Sequence, residues 1–341
     1  MELMSEKKIN VVVAIDFSDD LIKRIQDVSP RLNVVRHFPD VPSSAWAEAD
    51  VLYTVRHFPD PDQAPRLRWI QLNFAGVDQA LTHRAAQAED ILLTTASGIH
   101  AQPLANYVLM MMLAWNYKLT QMFRDQAKNH WNDNPQATYA PVDMHRQTVG
   151  IVGYGTIGRE VARLAHTLGM SVLATKRDAK RPDEAHHDYT PPNTGDPEGD
   201  IPERIYPTEA LASMVIECDF VVVIVPLTPT TKHLINQTIL DAMKPTSFLI
   251  NVARGAVIDE PALITALSSG NIGGAALDVF EEEPLPSTSP LWGMDNVIIS
   301  PHVSGNSANY HEKATELFIE NIKRYLEKKP LLNLVNREMG Y

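Results

Sequence analysis

The chain has 341 residues, more than the ~250–300 at which a single hydrophobic core stops growing, so two domains are expected. Its content of 44% hydrophobic and 21% charged residues is that of a folded globular protein and excludes disorder over most of its length. With 30 Lys+Arg against 42 Asp+Glu the formal charge is −12, which repels phosphodiester backbones and anionic bilayers and excludes nucleic acid or membrane as the main partner.

In chain order, the opening MELMSEKKINVVVAIDF is charged and its apolar run is brief, unlike a signal peptide. Short β-branched runs predict strands at 9–15, 32–38, 51–54, 69–73 and 91–95, with amphipathic stretches between them, hence a first parallel sheet. A long helix is predicted from Pro103, a favoured first-turn residue, to Arg124. Its most apolar part, 107–115, falls well short of the ~20 residues that span a bilayer. A second α/β series starts at Gln147, with strands predicted at 148–152, 171–175, 220–225, 247–252, 275–279 and 297–300. A helical pattern over 304–327 would return the chain to the first domain, and 331–341 reads as a docked or fraying tail. The expected architecture is α/β with parallel sheets, one domain (103–307) inserted into a discontinuous other (1–102 plus 308–341).

Three local features read as structure. The segment 178–200 carries Pro182, Pro191, Pro192 and Pro197, two glycines and seven acids without period, and predicts an exposed loop. His186 and His187 within it lack partner ligands at a metal spacing and read as solvated, so no metal site is expected. Cys218, the single cysteine, opens an apolar run and reads as a buried inert thiol, in keeping with a reducing cytoplasm. Asn236, in an Asn-Gln-Thr triplet, reads as a helix N-cap.

The most specific signal is VGIVGYGTIG over 149–158, which ends an apolar strand and opens a helix. Gly153 suits a tight turn, Gly155 a backbone approach to pyrophosphate, and Gly158 close helix–strand packing. Thr156 and Ile157 would then contribute first-turn amides to the anion. Eighteen residues past Gly158, where an acid would accept from the ribose hydroxyl of NAD, stand Lys176 and Arg177. Cations there suit a 2′-phosphate, so NADP is preferred over NAD, although the pair also fits a solvated strand end.

Three more motifs follow predicted strands: NVARG at 251–255, LDVFEEEP at 277–284 and SPHVSG at 300–305. Ligands of open α/β sheets collect beyond such strand ends. Taken singly, Arg254 is also compatible with a surface charge, Glu283 with an acidic run and His302 with a turn histidine. Together, in this order, with Glu283 29 residues after Arg254 and His302 19 after Glu283, the motifs resemble the D-isomer-specific 2-hydroxyacid dehydrogenases. The resemblance spans nearly the whole chain and includes NFAGVD at 73–78.

That resemblance implies two Rossmann or flavodoxin-like domains, with 103–307 as the cofactor domain and the remainder as the substrate-binding domain. It implies an oxidoreductase that passes a hydride between nicotinamide and a small 2-oxo acid or D-2-hydroxy acid, such as glyoxylate or hydroxypyruvate. Arg254 would bind the substrate carboxylate, His302 act as general acid or base, and Glu283 pair with His302 and favour imidazolium. Amides around Ala75 and Gly76, with Tyr53 nearby, would hold the substrate. Asp278 would bind the nicotinamide amide and Leu104 wall it. Pro226, Thr231, Val252, Ala253 and Gly305 would complete the cofactor contacts. The resemblance also implies a homodimer, for which Met110–Met112, Trp115 and Trp131 offer apolar surface.

The chain departs from the family at His100, where Asn is usual, and at Tyr107, where Ala-Glu-His becomes Ala105-Asn106-Tyr107. The run 53–57, with its aromatic and extra cation, stands where the family recognises substrate. A phosphoglycerate dehydrogenase is the nearest rival, although the chain ends soon after the return helix, leaving no room for a regulatory domain. Formate dehydrogenases have Gln where Glu283 stands. A nucleotide-sensing scaffold like the C-terminal-binding co-repressors shares the catalytic trio, but here no disordered tail or basic localisation run accompanies it.

Overall fold

A computed structural model of the chain describes residues 8–180 and 189–340. Residues 8–99, Tyr189 and 307–340 make one compact unit, and 100–180 with 190–306 make a second. His186 and His187 lie outside the described residues.

The first unit holds a five-stranded sheet of β1 (Ile9–Ala14), β2 (Leu32–Arg36), β3 (Val51–Thr54), β4 (Trp69–Leu72) and β5 (Leu92–Thr94). Its order is β2-β1-β3-β4-β5, all parallel. Alternate residues feed two cores: Val12, Ala14, Leu52, Ile70 and Leu72 on one face, Val11, Val13, Val51, Tyr53 and Trp69 on the other. Burial on both faces explains why these strands read as continuous apolar runs rather than as alternation. The helix Tyr310–Leu326 covers the second face with Phe318 and Ile322. The tail is docked: Val335 N–H donates to the Leu93 carbonyl at 2.8 Å, and Arg337 Nε to that of Ala86 at 2.7 Å.

The second unit holds seven parallel strands: β6 (Thr148–Val152), β7 (Ser171–Thr175), β8 (Arg204–Tyr206), β9 (Phe220–Val223), β10 (Phe248–Asn251), β11 (Gly274–Leu277) and β12 (Val297–Ile299). The order β12-β11-β10-β9-β6-β7-β8 reverses between β6 and β9, the kind of switch point beyond which open α/β sheets bind ligands. Val221, Val223 and Leu249 face one core, Val149, Ile151, Val222 and Ile250 the other. Each such side chain, fully buried, contributes about 1.5–3 kcal/mol.

Three sequence expectations are corrected. Strand β8 was not expected; it has three residues, pairs with Leu173–Thr175 and follows a proline-rich stretch that carries no period. The helix expected to Arg124 stops at Asn116 and restarts as Leu119–Ala127. Between them Lys118 takes a left-handed φ of +55, and its ammonium lies 5.0 Å from the Trp115 ring centre. Asn116 is buried and exchanges hydrogen bonds with both backbone groups of Val142, which ties the first helix end to a remote loop.

The third correction concerns 190–200, which is exposed at Pro192, Asn193, Pro197, Glu198 and Asp200 as expected but is also docked through a buried aspartate. Asp196 is 4% exposed, and its carboxylate accepts from the Tyr154 hydroxyl at 2.5 Å and from the Ile201 amide at 3.2 Å. Arg159 donates to the Asp196 carbonyl, and Glu160 accepts from the Gly195 amide at 2.7 Å while forking with Arg163. Cys218 is fully buried as expected, and burial pushes its thiol up to about 12. Asn236 caps Gln237–Ala242 through the Ile239 amide. Among the described residues no helix is long and apolar enough to cross a membrane, and no His, Cys, Asp and Glu cluster could hold a metal.

Candidate functional site

The glycine motif occupies the end of β6. Gly153 has φ +109, a value L side chains rarely adopt, and a Cβ there would come within 2.8 Å of the Ile224 carbonyl oxygen. A Cβ on Gly158 would come within 2.3 Å of the Gly153 carbonyl oxygen. Both glycines are therefore needed for strand, turn and helix to touch. A Cβ on Gly155, in contrast, would meet nothing within 4 Å, so this glycine borders open space.

Gly155 is the N-cap of the helix Thr156–Thr167, and no side chain caps it. Ser18, Asn236 and Asp259 do cap their helices through side-chain oxygens. The positive end of this helix dipole, with Thr156 and Ile157 in its first turn, thus lies directly after the glycine that borders open space. The arrangement fits the pyrophosphate of a dinucleotide. The neighbouring strand is tied to it: Thr175 accepts the Gly153 and Tyr154 amides at 3.2 and 2.9 Å, and Lys176 and Arg177 follow at once.

The remaining residues of this unit extend along adjacent strand ends. After β9, the Thr231 hydroxyl donates to the Pro226 carbonyl at 2.6 Å and closes that loop. After β10, Asn251 accepts from the Ala253 amide at 3.1 Å and donates to the Arg254 carbonyl at 3.2 Å, curling Val252–Arg254 into a turn. Gly255 makes the next contact possible: a Cβ there would stand 1.8 Å from the Phe280 carbonyl carbon. The Arg254 loop therefore lies flat on the segment that carries Glu283.

Glu283 accepts the Phe280 amide on Oε1 at 3.1 Å, and its Oε2 lies 2.8 Å from His302 Nδ1. Both side chains reach solvent, His302 at 47% and Glu283 at 36%. His302 has φ +53, a left-handed value uncommon for a residue with a side chain. Asp278, fully buried just past β11, holds this loop: its carbonyl accepts the His302 amide, Oδ1 the Val303 amide, and Oδ2 the Ser304 amide, each at 2.9 Å. Leu104 is buried in the core of the unit. The His100 ring lies 3.1 Å from where a Gly305 Cβ would stand.

In the first unit, Ala75 and Gly76 follow β4 and are half-buried. Their loop starts at Asn73, which is clamped twice: Oδ1 accepts the Tyr53 hydroxyl at 2.7 Å and the carbonyl accepts that of Tyr310 at 2.5 Å. Tyr53, expected to touch substrate, has no exposed surface and packs against Phe17 and Phe318. Its part is to anchor the loop. Burial raises its phenol well above the ordinary range, so it stays a donor.

Sequence reasoning missed two participants, Tyr154 and Ser300. The Tyr154 ring and hydroxyl turn inward to Arg159 and Asp196, and Ser300 hydrogen-bonds Asp278 at 2.5 Å. Their partners lie 42 and 22 residues away, and no local pattern announces them.

Residues 109–304 match the family model of the D-isomer specific 2-hydroxyacid dehydrogenase NAD binding domain. The chain is 32% identical over 282 residues to a glyoxylate reductase of Thermococcus onnurineus, covering 82% of this chain and 79% of that one. It is 30% identical over 337 residues to glyoxylate/hydroxypyruvate reductase B of Pectobacterium carotovorum, covering 97% and 99%. Among solved structures it resembles a D-isomer specific 2-hydroxyacid dehydrogenase from Xanthobacter autotrophicus in complex with NADPH and MES, with a TM-score of 0.80 and 29% identity over 98% of this chain and 100% of that one.

Proposed function

The chain belongs to the D-isomer specific 2-hydroxyacid dehydrogenase family of NAD(P)-dependent oxidoreductases, and from that premise we propose that it reduces glyoxylate or hydroxypyruvate with NADPH. The observation that carries this reading is the Glu283–His302 pair at 2.8 Å, beside an Arg254 loop packed on the same segment. A reduced nicotinamide, when bound, supplies the hydride to the carbonyl carbon. Arg254 pairs with the carboxylate of the 2-oxo acid and polarises its carbonyl through charge-assisted hydrogen bonds. Because Nδ1 of His302 is committed to Glu283, Nε2 is the nitrogen that delivers the proton to the carbonyl oxygen, giving the 2-hydroxy acid. Glu283 orients the imidazole and offsets its positive charge. The amides of Ala75 and Gly76 are assigned to the carboxylate as well.

We assign dinucleotide binding to 103–307 and substrate binding to 1–102 with 308–341. Gly153, Gly155 and Gly158 with Thr156 and Ile157 would hold the pyrophosphate, and Lys176 and Arg177 the 2′-phosphate that sets NADPH above NADH. Pro226, Thr231, Val252, Ala253 and Gly305 would line the cofactor, with Leu104 against the nicotinamide; Asp278, expected at the nicotinamide amide, is instead fully buried with both carboxylate oxygens taken by the 300–304 loop, and its part is to position that loop. We also assign a cytoplasmic homodimer. Met110, Phe123 and Trp131 support it as exposed apolar surface, Trp131 at 86%, whereas Met111 and Met112 are core and Trp115 stacks on Phe248. Light scattering should give twice the chain mass.

Initial rates with glyoxylate, hydroxypyruvate and pyruvate, each with NADPH and NADH, test the reading. Turnover with NADPH preferred about tenfold in kcat/KM, ~1.4 kcal/mol, is expected. An NADH preference would overturn the cofactor assignment alone. Absence of turnover by protein that binds NADPH would overturn the substrate assignment.

A further inference from the structure

We propose that Tyr107 is a positioning residue for His302, acting through Ser300 and Asp278. The inference rests on the reading of His302 as the proton donor. His302 stands in the left-handed backbone region, where a side-chain-bearing residue persists only if its surroundings over-determine it. The buried Asp278 provides that restraint, with donors from both sides of His302. Val303 and Ser304 give amides from one side; the Ser300 hydroxyl gives a proton to Oδ1 at 2.5 Å from the other.

Ser300 has one hydroxyl proton, and an ionised carboxylate can only accept it. The Tyr107 hydroxyl, 2.5 Å from Ser300 Oγ, must therefore be the donor to Ser300. The direction of the chain is fixed: Tyr107 to Ser300 to Asp278. Tyr107 stands on the helix Ala101–Asn116, is 8% exposed, and packs in the core beside Leu104 and Val108. Burial pushes its phenol up to about 12, so the proton it gives is present at any working pH. A rigid helix is thus joined to the near side of the loop through two short bonds. Without the phenol, Ser300 keeps its acceptor unfilled and turns more freely, and Asp278 grips one side of His302 better than the other.

The test uses Tyr107→Phe, Ser300→Ala and the double variant in the full chain, with two readouts. In steady-state kinetics, kcat should fall about tenfold in Tyr107→Phe while KM for the 2-oxo acid stays within about twofold, because only the placement of the acid changes. The double variant should be no worse than the poorer single one, since both break one chain. Native-state hydrogen exchange should show faster exchange of the Val303 and Ser304 amides in either single variant, at unchanged global stability. Unchanged exchange at those amides overturns the proposal. So does a rise in KM at constant kcat, or effects that multiply in the double variant. Should the wild type reduce none of the 2-oxo acids, the functional reading fails, and amide exchange still decides the role of Tyr107.

Discussion

The loop at 300–304 and the segment at 190–201 are each organised by one buried aspartate, but they spend its hydrogen bonds differently. Asp278 sits at a strand end and draws donors from a loop more than twenty residues away, and that loop turns His302 outward. Asp196 lies within its own segment and takes the amides of Asp200 and Ile201 at 3.3 and 3.2 Å, together with the hydroxyl of Tyr154. Its neighbours Arg159 and Glu160 are also buried, so the segment is pinned from inside while Asn193, Glu198 and Asp200 stay exposed. Both carboxylates gather donors because a buried charge demands them. The difference lies in what is left facing solvent: a titratable side chain in one case, ordinary loop surface in the other.

The largest effect is expected at His302. His302→Ala should lower kcat by about 10²–10⁴-fold while dinucleotide binding, read by fluorescence titration, is kept. Asp196→Asn should leave kcat nearly unchanged and instead lower the unfolding free energy by about 2 kcal/mol, measured in urea, since it weakens hydrogen bonds to a charged acceptor. A large loss of kcat in folded Asp196→Asn would show that the two aspartates are not so different in function.

The contribution of Asp196 to stability depends on pH. Burial alone would raise the Asp196 carboxyl, but the Tyr154 hydroxyl and the Ile201 and Asp200 amides together hold it below the ordinary carboxylate value. A folded-state value below the unfolded one means the contribution is complete above the unfolded carboxylate range and is lost as pH falls through the folded value. The stability gap between wild type and Asp196→Asn should therefore narrow as the solution is acidified. A gap that widens would contradict the assignment.

Two smaller effects lie elsewhere in the same unit. Replacing Lys176 and Arg177 together by serine should move the NADPH:NADH ratio of kcat/KM about tenfold toward NADH, with kcat for either cofactor little changed. Cys218, buried and pushed up to about 12, should resist alkylation at pH 8 in the native protein and react on unfolding. Rapid labelling of the folded chain would mean that the Met214–Cys218 region opens locally.

Much of the candidate site was legible because its residues stand in local patterns. Gly153 and Gly158 announce themselves since no other residue fits where backbone meets backbone, and Arg254, Glu283 and His302 each follow a recognisable apolar run. Tyr53 was misread for the opposite reason. The run 53–57 stands where the resembled family recognises substrate, but Tyr53 still belongs to β3, whose residues alternate between faces, and its face is core. The break at Lys118 was invisible because Asn116 is held by Val142, and the edge strand β8 because three residues carry too little period.

What the sequence determined by itself is therefore the class of fold, two parallel sheets of runs apolar on both faces, and the identity of the motifs at their strand ends. Tertiary structure alone decided that 190–201 is docked, that Tyr53 anchors rather than lines, and that Tyr107, Ser300 and Asp278 form one chain. The physical reason is range. Periodicity and turn chemistry act over a few residues, whereas a buried hydroxyl or carboxylate finds its partner wherever the folded chain brings one, and the sequence carries no mark of that pairing.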